Sequence, residues 1–508
     1  MAERHVVIIG AGPGGLTSGM ILAKRGFKVT VFERKPIVGG RNAPLKLGPY
    51  KFDIGPTFLM MKFILDEMFQ AAGVDSSDYL RFVELDPMYR LILPDVDLAF
   101  TTDHERMKEN IRGCFPGKEA GLDDFWRQEG ARFNHLFPCL QKDYSSLRAY
   151  LSPIFIKAIP RLRLAQSVFG NMNRYFKDDQ LTLCFTFQSK YLGMSPWKCP
   201  GAFSILPYIE HAYGIYHVTG GLSEISEAMA RVLQAHGGQL HLSTPVSRLI
   251  VENGAVRGVE LESGGKVAAD VVIINQDFSQ AMCDLVDPQW LRKWQPKALE
   301  RKAYSCSTFM LYLGLDKVYD MPHHAIVFAR DYRANLEDVT DRMELSDDMS
   351  IYVRNATVTD PTLAPEGKSA VYVLVPVPNC RSELDWDQER EAFREKVLET
   401  IASRTCMTDI RDHIEQEHVI VPTDWQRDYG VYIGATFNLA HTISQLLYRR
   451  PHNKFEELES CYLVGGGTHP GSGLPTIYES GRITANMISA RFGMPHEKPS
   501  SLPDPTTG

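Results

Sequence analysis

HVVIIGAGPGG (residues 5–15), LTSGMILAK (16–24) and KVTVFE (28–33) stand together at the start of the chain, and their reading decides the fold. His5 to Ile9 is a short β-branched run of the kind that forms a parallel strand buried on both faces. Gly10-Ala11-Gly12-Pro13-Gly14-Gly15 matches G-x-G-x-x-G, Leu16 to Lys24 reads as a helix, and Gly26 supplies its stop. Val29 to Phe32 is a second strand that ends on Glu33, 23 positions after Gly10. Each residue type has a physical task in a dinucleotide site. Gly10 permits the tight turn, Gly12 lets the backbone approach a pyrophosphate, and Gly15 lets helix and strand pack closely. The N-terminus of the helix offers free N–H groups and a partial positive charge to phosphates. Glu33 is placed to accept hydrogen bonds from a ribose. An ordinary glycine-rich βα turn would share the glycines, but not the strand, helix and acid at these spacings.

Two further stretches near the first belong to the same reading. Arg34 is followed by Gly39-Gly40-Arg41, a second close approach of backbone, with Arg41 placed to meet phosphate or a flavin ring. Phe52-Asp53-Ile54-Gly55-Pro56-Thr57 comes next. At the other end, Ser460 to Gly467 (SCYLVGGG) is an apolar strand running into glycines, continued by THPGSGLP (468–475). Thr476 to Arg491 has helical character, and Pro475 suits an early helix position. This second strand–glycine loop–helix unit would turn a helix N-terminus toward a flavin. Both chain ends then build one site, and the middle is inserted.

The glutamate, G-G-R and D-x-G-P-T pattern resembles the amine-oxidase and carotenoid-desaturase group of flavoproteins, which implies FAD rather than NAD. The likeness is strongest to the bacterial phytoene desaturase family. Val218-Thr219-Gly220-Gly221-Leu222, the strand pair of residues 254–277 ending in N-x-D, DPTLAPEGKSAVYVLVPVPN (360–379) and YLVGGGTHPGSG (462–473) all resemble its segments, across residues 5 to 492. Amine oxidases usually carry an Asp in the C-terminal loop, where this chain has Gly465-Gly466-Gly467. The resemblance implies an α/β fold with a Rossmann-like FAD-binding domain built from discontinuous segments, and an inserted α+β substrate domain of antiparallel sheet plus helical cap. The expected FAD contacts are Gly10, Gly12, Pro13, Gly14, Gly15, Glu33, Arg34, Gly40, Arg41, Gly55, Pro56 and Thr57 from the first segment. Val246 joins them from the middle, and Gly466, Gly467, Thr468, Gly473, Leu474 and Pro475 from the last.

Composition agrees with a globular enzyme. Of the 508 residues 44% are apolar and 23% charged, the net charge is −7, and mean hydropathy is −0.20. An acidic chain has no overall attraction to nucleic acid, and none is expected as a partner. The nine cysteines contain no C-x-x-C pair, so neither a zinc site nor a disulfide framework is expected, and a reducing compartment is. MAERHVVIIG lacks the layout of a signal peptide, and no run of about 20 residues is apolar enough to span a bilayer. The segments read as 1–100, FAD-binding; 101–215, helical, substrate- and membrane-associating; 216–285, FAD-binding; 286–425, antiparallel sheet of the substrate domain; 426–495, FAD-binding; and 496–508, a disordered tail. Alternating runs at 307–315, 325–329, 350–354 and 370–375 carry the sheet.

The resemblance implies dehydrogenation of a phytoene-type polyene, C30 or C40, by hydride transfer to flavin. An oxygenase, isomerase or saturase on the same scaffold is the rival reading. A non-catalytic lipid carrier and a soluble amine oxidase stand further off. Tyr144 to Lys177 carries Arg148, Lys157, Arg161, Arg163, Arg174 and Lys177 among apolar residues and has no acid. It reads as a surface for an anionic membrane, from which an apolar substrate would enter, or as a helix pair with a solvated basic face. The protein is expected in the cytoplasm, peripheral on the membrane, with quinone or oxygen as electron acceptor and the oligomeric state open, a homo-oligomer included. Phe58, Leu59, Met60, Met61 and Phe63 are candidate substrate-lining residues. By position near the second glycine loop, His469 and Glu479 are the candidate catalytic proton acceptors. No metal site is expected, and His323-His324 reads as structural.

Overall fold

The computed structural model describes residues 4–496 and 498–505. His5–Ile9 is the central strand of a five-stranded parallel sheet ordered Gln239–His241, Lys28–Phe32, His5–Ile9, Val271–Ile274, Cys461–Leu463. Val6, Val7 and Ile8 are fully buried, the two-sided burial that their β-branched side chains anticipate. The five strands come from widely separated parts of the chain, so the expected discontinuous α/β domain is what forms.

Glycine sets the tightness of this domain. A Cβ on Gly15 would lie 2.5 Å from the Gly10 carbonyl, which leaves room for hydrogen only. The first helix, Pro13–Lys24, packs on the terminal helix, Leu474–Arg491. A Cβ on Gly481 would lie 2.8 Å from the Gly14 carbonyl, and the Ser18 hydroxyl donates to the Gly481 carbonyl at 3.0 Å. Arg25 clamps the far end of the pair, donating to Ser489 Oγ at 3.0 Å and to Asn486 Oδ1 at 2.8 Å.

A seven-stranded sheet forms the second layer, in the order Ile414–Ile420, Ser307–Leu315, Ser369–Val377, Ile351–Asn355, His324–Val327, Tyr89–Ile92, Asp97–Phe100. All neighbours run antiparallel except His324–Val327 and Tyr89–Ile92, which are parallel. Residues 89–100 therefore belong to the substrate-domain sheet and not to the first nucleotide segment. The physical reason is that Tyr89, Leu91, Leu98 and Phe100 bury their apolar faces against the cap while their backbone completes this sheet's edge.

The segment 101–215 is helical, led by the long helix Ala120–Leu140. Its fully buried Glu129 accepts hydrogen bonds from Tyr175 Oη (2.7 Å) and Asn171 Nδ2 (3.1 Å) and pairs with Arg132, tying three parts of the cap together. Of the tail expected over 496–508, residues 498–505 run along this cap. There Leu502 packs on the core and Tyr213 Oη donates to the Pro503 carbonyl at 3.2 Å. Residues 497 and 506–508 lie outside the described residues.

Candidate active site

One cavity of about 940 Å³ lies between the two layers. Its nucleotide-sheet wall is made by Gly10, Gly12, Pro13, Glu33, Arg34, Gly40 and Arg41 from the first segment, and by Gly466, Gly467, Gly473, Leu474 and Pro475 from the last. Gly55, Pro56, Thr57 and Val246 also line it. The large sheet contributes Met310, Ile326, Tyr352, Tyr372 and Leu374, and the cap Phe187 and Tyr191. The two glycine units that are separated by nearly the whole chain thus face one space.

The donor set suits a dinucleotide. Gly12 caps the first helix without a side-chain hydrogen bond, and a Cβ there would meet Asn275 Nδ2 at 2.8 Å, so the loop stays low and its N–H groups stay open. Glu33, buried, accepts the Ala11 N–H at 2.8 Å on one carboxylate oxygen and the Lys35 N–H at 2.9 Å on the other. Those two bonds fix the carboxylate on the cavity wall with lone pairs to spare for ribose hydroxyls. Gly473 caps the terminal helix in the same bare way, with φ +111°.

Arg41 donates to the Thr436 carbonyl at 2.8 Å, and burial pulls its guanidinium below the usual range while Asp277 opposes the shift. Beneath the last glycine loop lies Arg450, fully buried, which donates to the Gly466 carbonyl at 2.6 Å and the Thr468 carbonyl at 3.1 Å. Its Nη1 is buried without a partner, and burial lowers its pKa to about 10, so it stays charged at neutral pH. Together with the helix terminus, this cation makes the last loop a place that favours negative charge.

Three expected contacts are not on the wall. Gly14 faces Gly465 and Ile477, Gly15 faces Gly10, and Thr468 turns its hydroxyl to the Gly465 carbonyl at 3.0 Å. They shape the loops rather than line the space. Of the five candidate substrate residues, Phe58 and Met60 line the cavity, while Leu59, Met61 and Phe63 are core packing.

His469 and Glu479 do not line the cavity, which removes them as proton acceptors there. The His469 ring sits beside Tyr144 at 5.3 Å and its Nε2 meets the Lys142 carbonyl at 2.9 Å, with burial lowering its pKa to about 4. Glu479, fully buried, is held by Arg482, which also pairs with Glu67. Both are committed to holding the terminal helix against its neighbours.

The wall also includes residues that the sequence reading did not assign. Asn275 donates Nδ2 to the Gly10 carbonyl at 3.1 Å and props the first loop. Asp277, Asn438, Trp425 and Tyr429 line it as well. The signal for two of them was the N-x-D that ends the strand at Ile274, read only as a strand terminus.

On the cap side, Tyr89 Oη and Gln188 Nε2 donate to Glu210 Oε2 at 2.9 and 2.8 Å, and burial pushes that carboxyl up to about 7. On the large-sheet side, Thr57 Oγ1 lies 2.7 Å from Tyr352 Oη, which lies 2.6 Å from His324 Nδ1. The rest of the substrate wall is mostly apolar or aromatic, but Lys190 of the cap also lines it, its ammonium over the Phe328 and Tyr332 rings at 5.6 and 4.7 Å and its pKa lowered by burial to about 7.

A family model described as flavin containing amine oxidoreductase matches residues 13–489. The 4,4'-diapophytoene desaturase (4,4'-diapolycopene-forming) of Methylomonas sp is 54% identical over 488 residues, covering 96% of each chain. The all-trans-zeta-carotene desaturase of Myxococcus xanthus is 37% identical and covers 96% of this chain and 94% of its own. Among solved structures, a putrescine oxidase variant shares the fold with a TM-score of 0.64 at 15% identity, over 96% of this chain and 99% of that one.

Proposed function

The chain belongs to the flavin-containing amine oxidoreductase family, and from that premise we propose that it is an FAD-dependent desaturase of a C30 polyene of the 4,4'-diapophytoene class. The observation that carries this reading is the composition of this cavity. A dinucleotide cradle with Glu33 and two bare helix termini opens directly onto a wall of Phe58, Met60, Phe187, Ile326 and Leu374. A hydrocarbon offers nothing for a charged pocket to hold, and these five side chains hold it by apolar contact.

When bound by the residues above, FAD would supply the hydride acceptor that breaking an unactivated C–H bond requires. The protein's share is position and dryness. Gly55 and Pro56 bring the Thr57–Phe58 turn onto the cavity wall, and the Tyr312 and Tyr372 hydroxyls hold that turn by donating to the Ile54 and Gly55 carbonyls at 2.6 and 3.0 Å. The aromatic wall excludes water from the carbon that loses hydride. Arg450 and the terminal helix would stabilise negative charge developing at the last loop.

Such a substrate reaches the cavity from a bilayer, because carrying thirty carbons through water costs tens of kcal/mol at about 0.8 kcal/mol per CH₂. The docking face we assign is an anionic membrane surface on the helical cap. Leu147, Leu151, Ile156 and Ile159 stand exposed there, at 64%, 74%, 53% and 51%. A second segment with exposed Ile443, Leu447 and Tyr448 extends the patch, joined to it by the Tyr150–Tyr448 ring contact at 6.1 Å. Arg148, Lys157 and Arg449 are exposed within it, on a chain whose net charge is −7. Each adds about 1 kcal/mol at an anionic surface. No described helix is long and apolar enough to cross a membrane.

Co-expression with a C30 or a C40 polyene-forming synthase tests the activity. Coloured C30 products lighter by two hydrogens per step are expected. Oxygenated products, or pigment only in the C40 host, would refute the assignment.

A further inference from the structure

Thr57, Tyr352 and His324 come from three separate elements, line the cavity side by side and form one hydrogen-bonded chain, at 2.7 and 2.6 Å. The far nitrogen of His324, Nε2, is buried with no hydrogen-bond partner. A buried polar atom left unpaired costs about 1–3 kcal/mol, so its presence in a cavity wall calls for a reason.

A charged array backs this chain. The His323 and His324 rings lie 4.4 Å apart, and His323 Nε2 accepts from Arg354 Nε at 3.2 Å. Arg354 donates to Asp53 Oδ2 at 2.8 Å and faces His217 Nδ1 at 3.1 Å. His217 Nε2 meets Asp360 Oδ2 at 2.9 Å, and Asp360 also accepts the Gly220 N–H and the Thr362 hydroxyl. Arg354, Asp53, His217, His323 and Asp360 are all buried. Arg90, on the strand paired with that of His324, is exposed and ion-paired with Asp97. Burial, with Arg354 beside them, holds all three imidazoles below their usual range and therefore neutral.

We propose that Tyr352 and His324 together take the proton that leaves the polyene as each new double bond forms. The inference rests on the desaturase reading. Once hydride has departed, the substrate is an allylic cation. The C–H bond on the adjacent carbon breaks, and its electron pair becomes the new π bond. The released proton bonds to Tyr352 Oη while the phenol's own proton crosses to His324 Nδ1. The imidazole, already protonated at Nε2, becomes imidazolium. Positive charge thus moves from the polyene to His324. Two electrons and one proton leave as hydride, and one proton resides on His324. Thr57, donating to Tyr352 Oη, orients the phenol. The pair His323-His324 is then more than structural, because its second member belongs to the reaction.

The test uses FAD-loaded enzyme with 4,4'-diapophytoene, unlabelled or deuterated at the carbon that loses the proton. Tyr352→Phe keeps the ring and removes the relay. It should retain FAD and KM, lose about 100-fold in kcat, and show an isotope effect at that carbon that the wild type masks. His324→Gln should do the same, and the double variant should be no slower than the slower single one, because the two act in series. Should Tyr352→Phe lose its FAD, His324→Gln carries the same comparison. Wild-type turnover in Tyr352→Phe, or losses that multiply in the double variant, would overturn the relay alone. A wild type inert toward polyenes would instead overturn the desaturase reading, and the relay with it.

Discussion

Replacing Gly481 by Ala tests whether the two chain ends meet as closely as the site requires. The new Cβ would lie 2.8 Å from the Gly14 carbonyl, 2.8 Å from Thr17 Cβ and 2.9 Å from Thr17 Cγ2. None of these can swing aside. The first is helix backbone, and Thr17 is β-branched, with its hydroxyl bound to the Pro13 carbonyl at 2.7 Å. The helices must separate by about half an ångström to restore contact distance. Overpacking where backbone is struck costs about 2–3 kcal/mol. The better helix propensity of Ala returns up to about 1 kcal/mol. The net is a loss of about 1–2 kcal/mol, and it falls on the geometry of both helix N-termini at the cavity. FAD affinity should therefore weaken about 5–30-fold, read by flavin fluorescence on dilution, with a lower melting temperature. Gly113→Ala is the control, since a Cβ there meets nothing within 4 Å. It should be neutral or gain up to about 1 kcal/mol. A Gly481→Ala protein that melts no lower than wild type and keeps its FAD affinity would refute the reasoning.

Two other outcomes follow from groups already described. Burial raises Glu210 to about 7, against 4.5 in the unfolded chain. Below about pH 4.5 both states hold the proton; as pH rises the unfolded chain releases it first, so stability falls until about pH 7 and then levels off. Glu210→Gln cannot ionise, so it should match wild type near pH 4.5 and exceed it at pH 8 by about 3 kcal/mol, measured as melting temperature against pH. On the cap, Leu151→Glu with Leu447→Glu should abolish co-sedimentation with anionic vesicles while leaving FAD content intact; unchanged sedimentation would sink the docking face.

What the sequence disclosed was whatever is written locally. The strand of 5–9, the acid at 33 and the terminal helix all follow from spacing and residue type and stand within two residues of expectation, while the first helix opens at Pro13, three residues before the expected Leu16. The strand pair 89–100 was misassigned because an edge strand's partner is a property of the far chain. Nothing in YRLILPDVDLAF indicates that its neighbour is 324–327. His469 and Glu479 failed for a related reason. Nearness along the chain to a glycine loop does not say which way a side chain turns. Glu479 sits one helical turn, about 5.4 Å, above Pro475, where it meets Arg482 and Glu67 rather than the cavity. The relay of Thr57, Tyr352 and His324 was illegible for the same cause, since three separate elements assemble it.

The central strand of the parallel sheet has one neighbour made just after it and another, Val271–Ile274, whose own outer partner is Cys461–Leu463. A ribosome adding about 5–20 residues per second takes roughly 20 to 90 s to travel from the second strand to the last. During that interval a hydrophobic β-edge waits uncovered. A transcript truncated before residue 461 leaves the outer edge of Val271–Ile274 without its partner strand, an exposed apolar edge of the kind that favours aggregation over a dormant apoprotein.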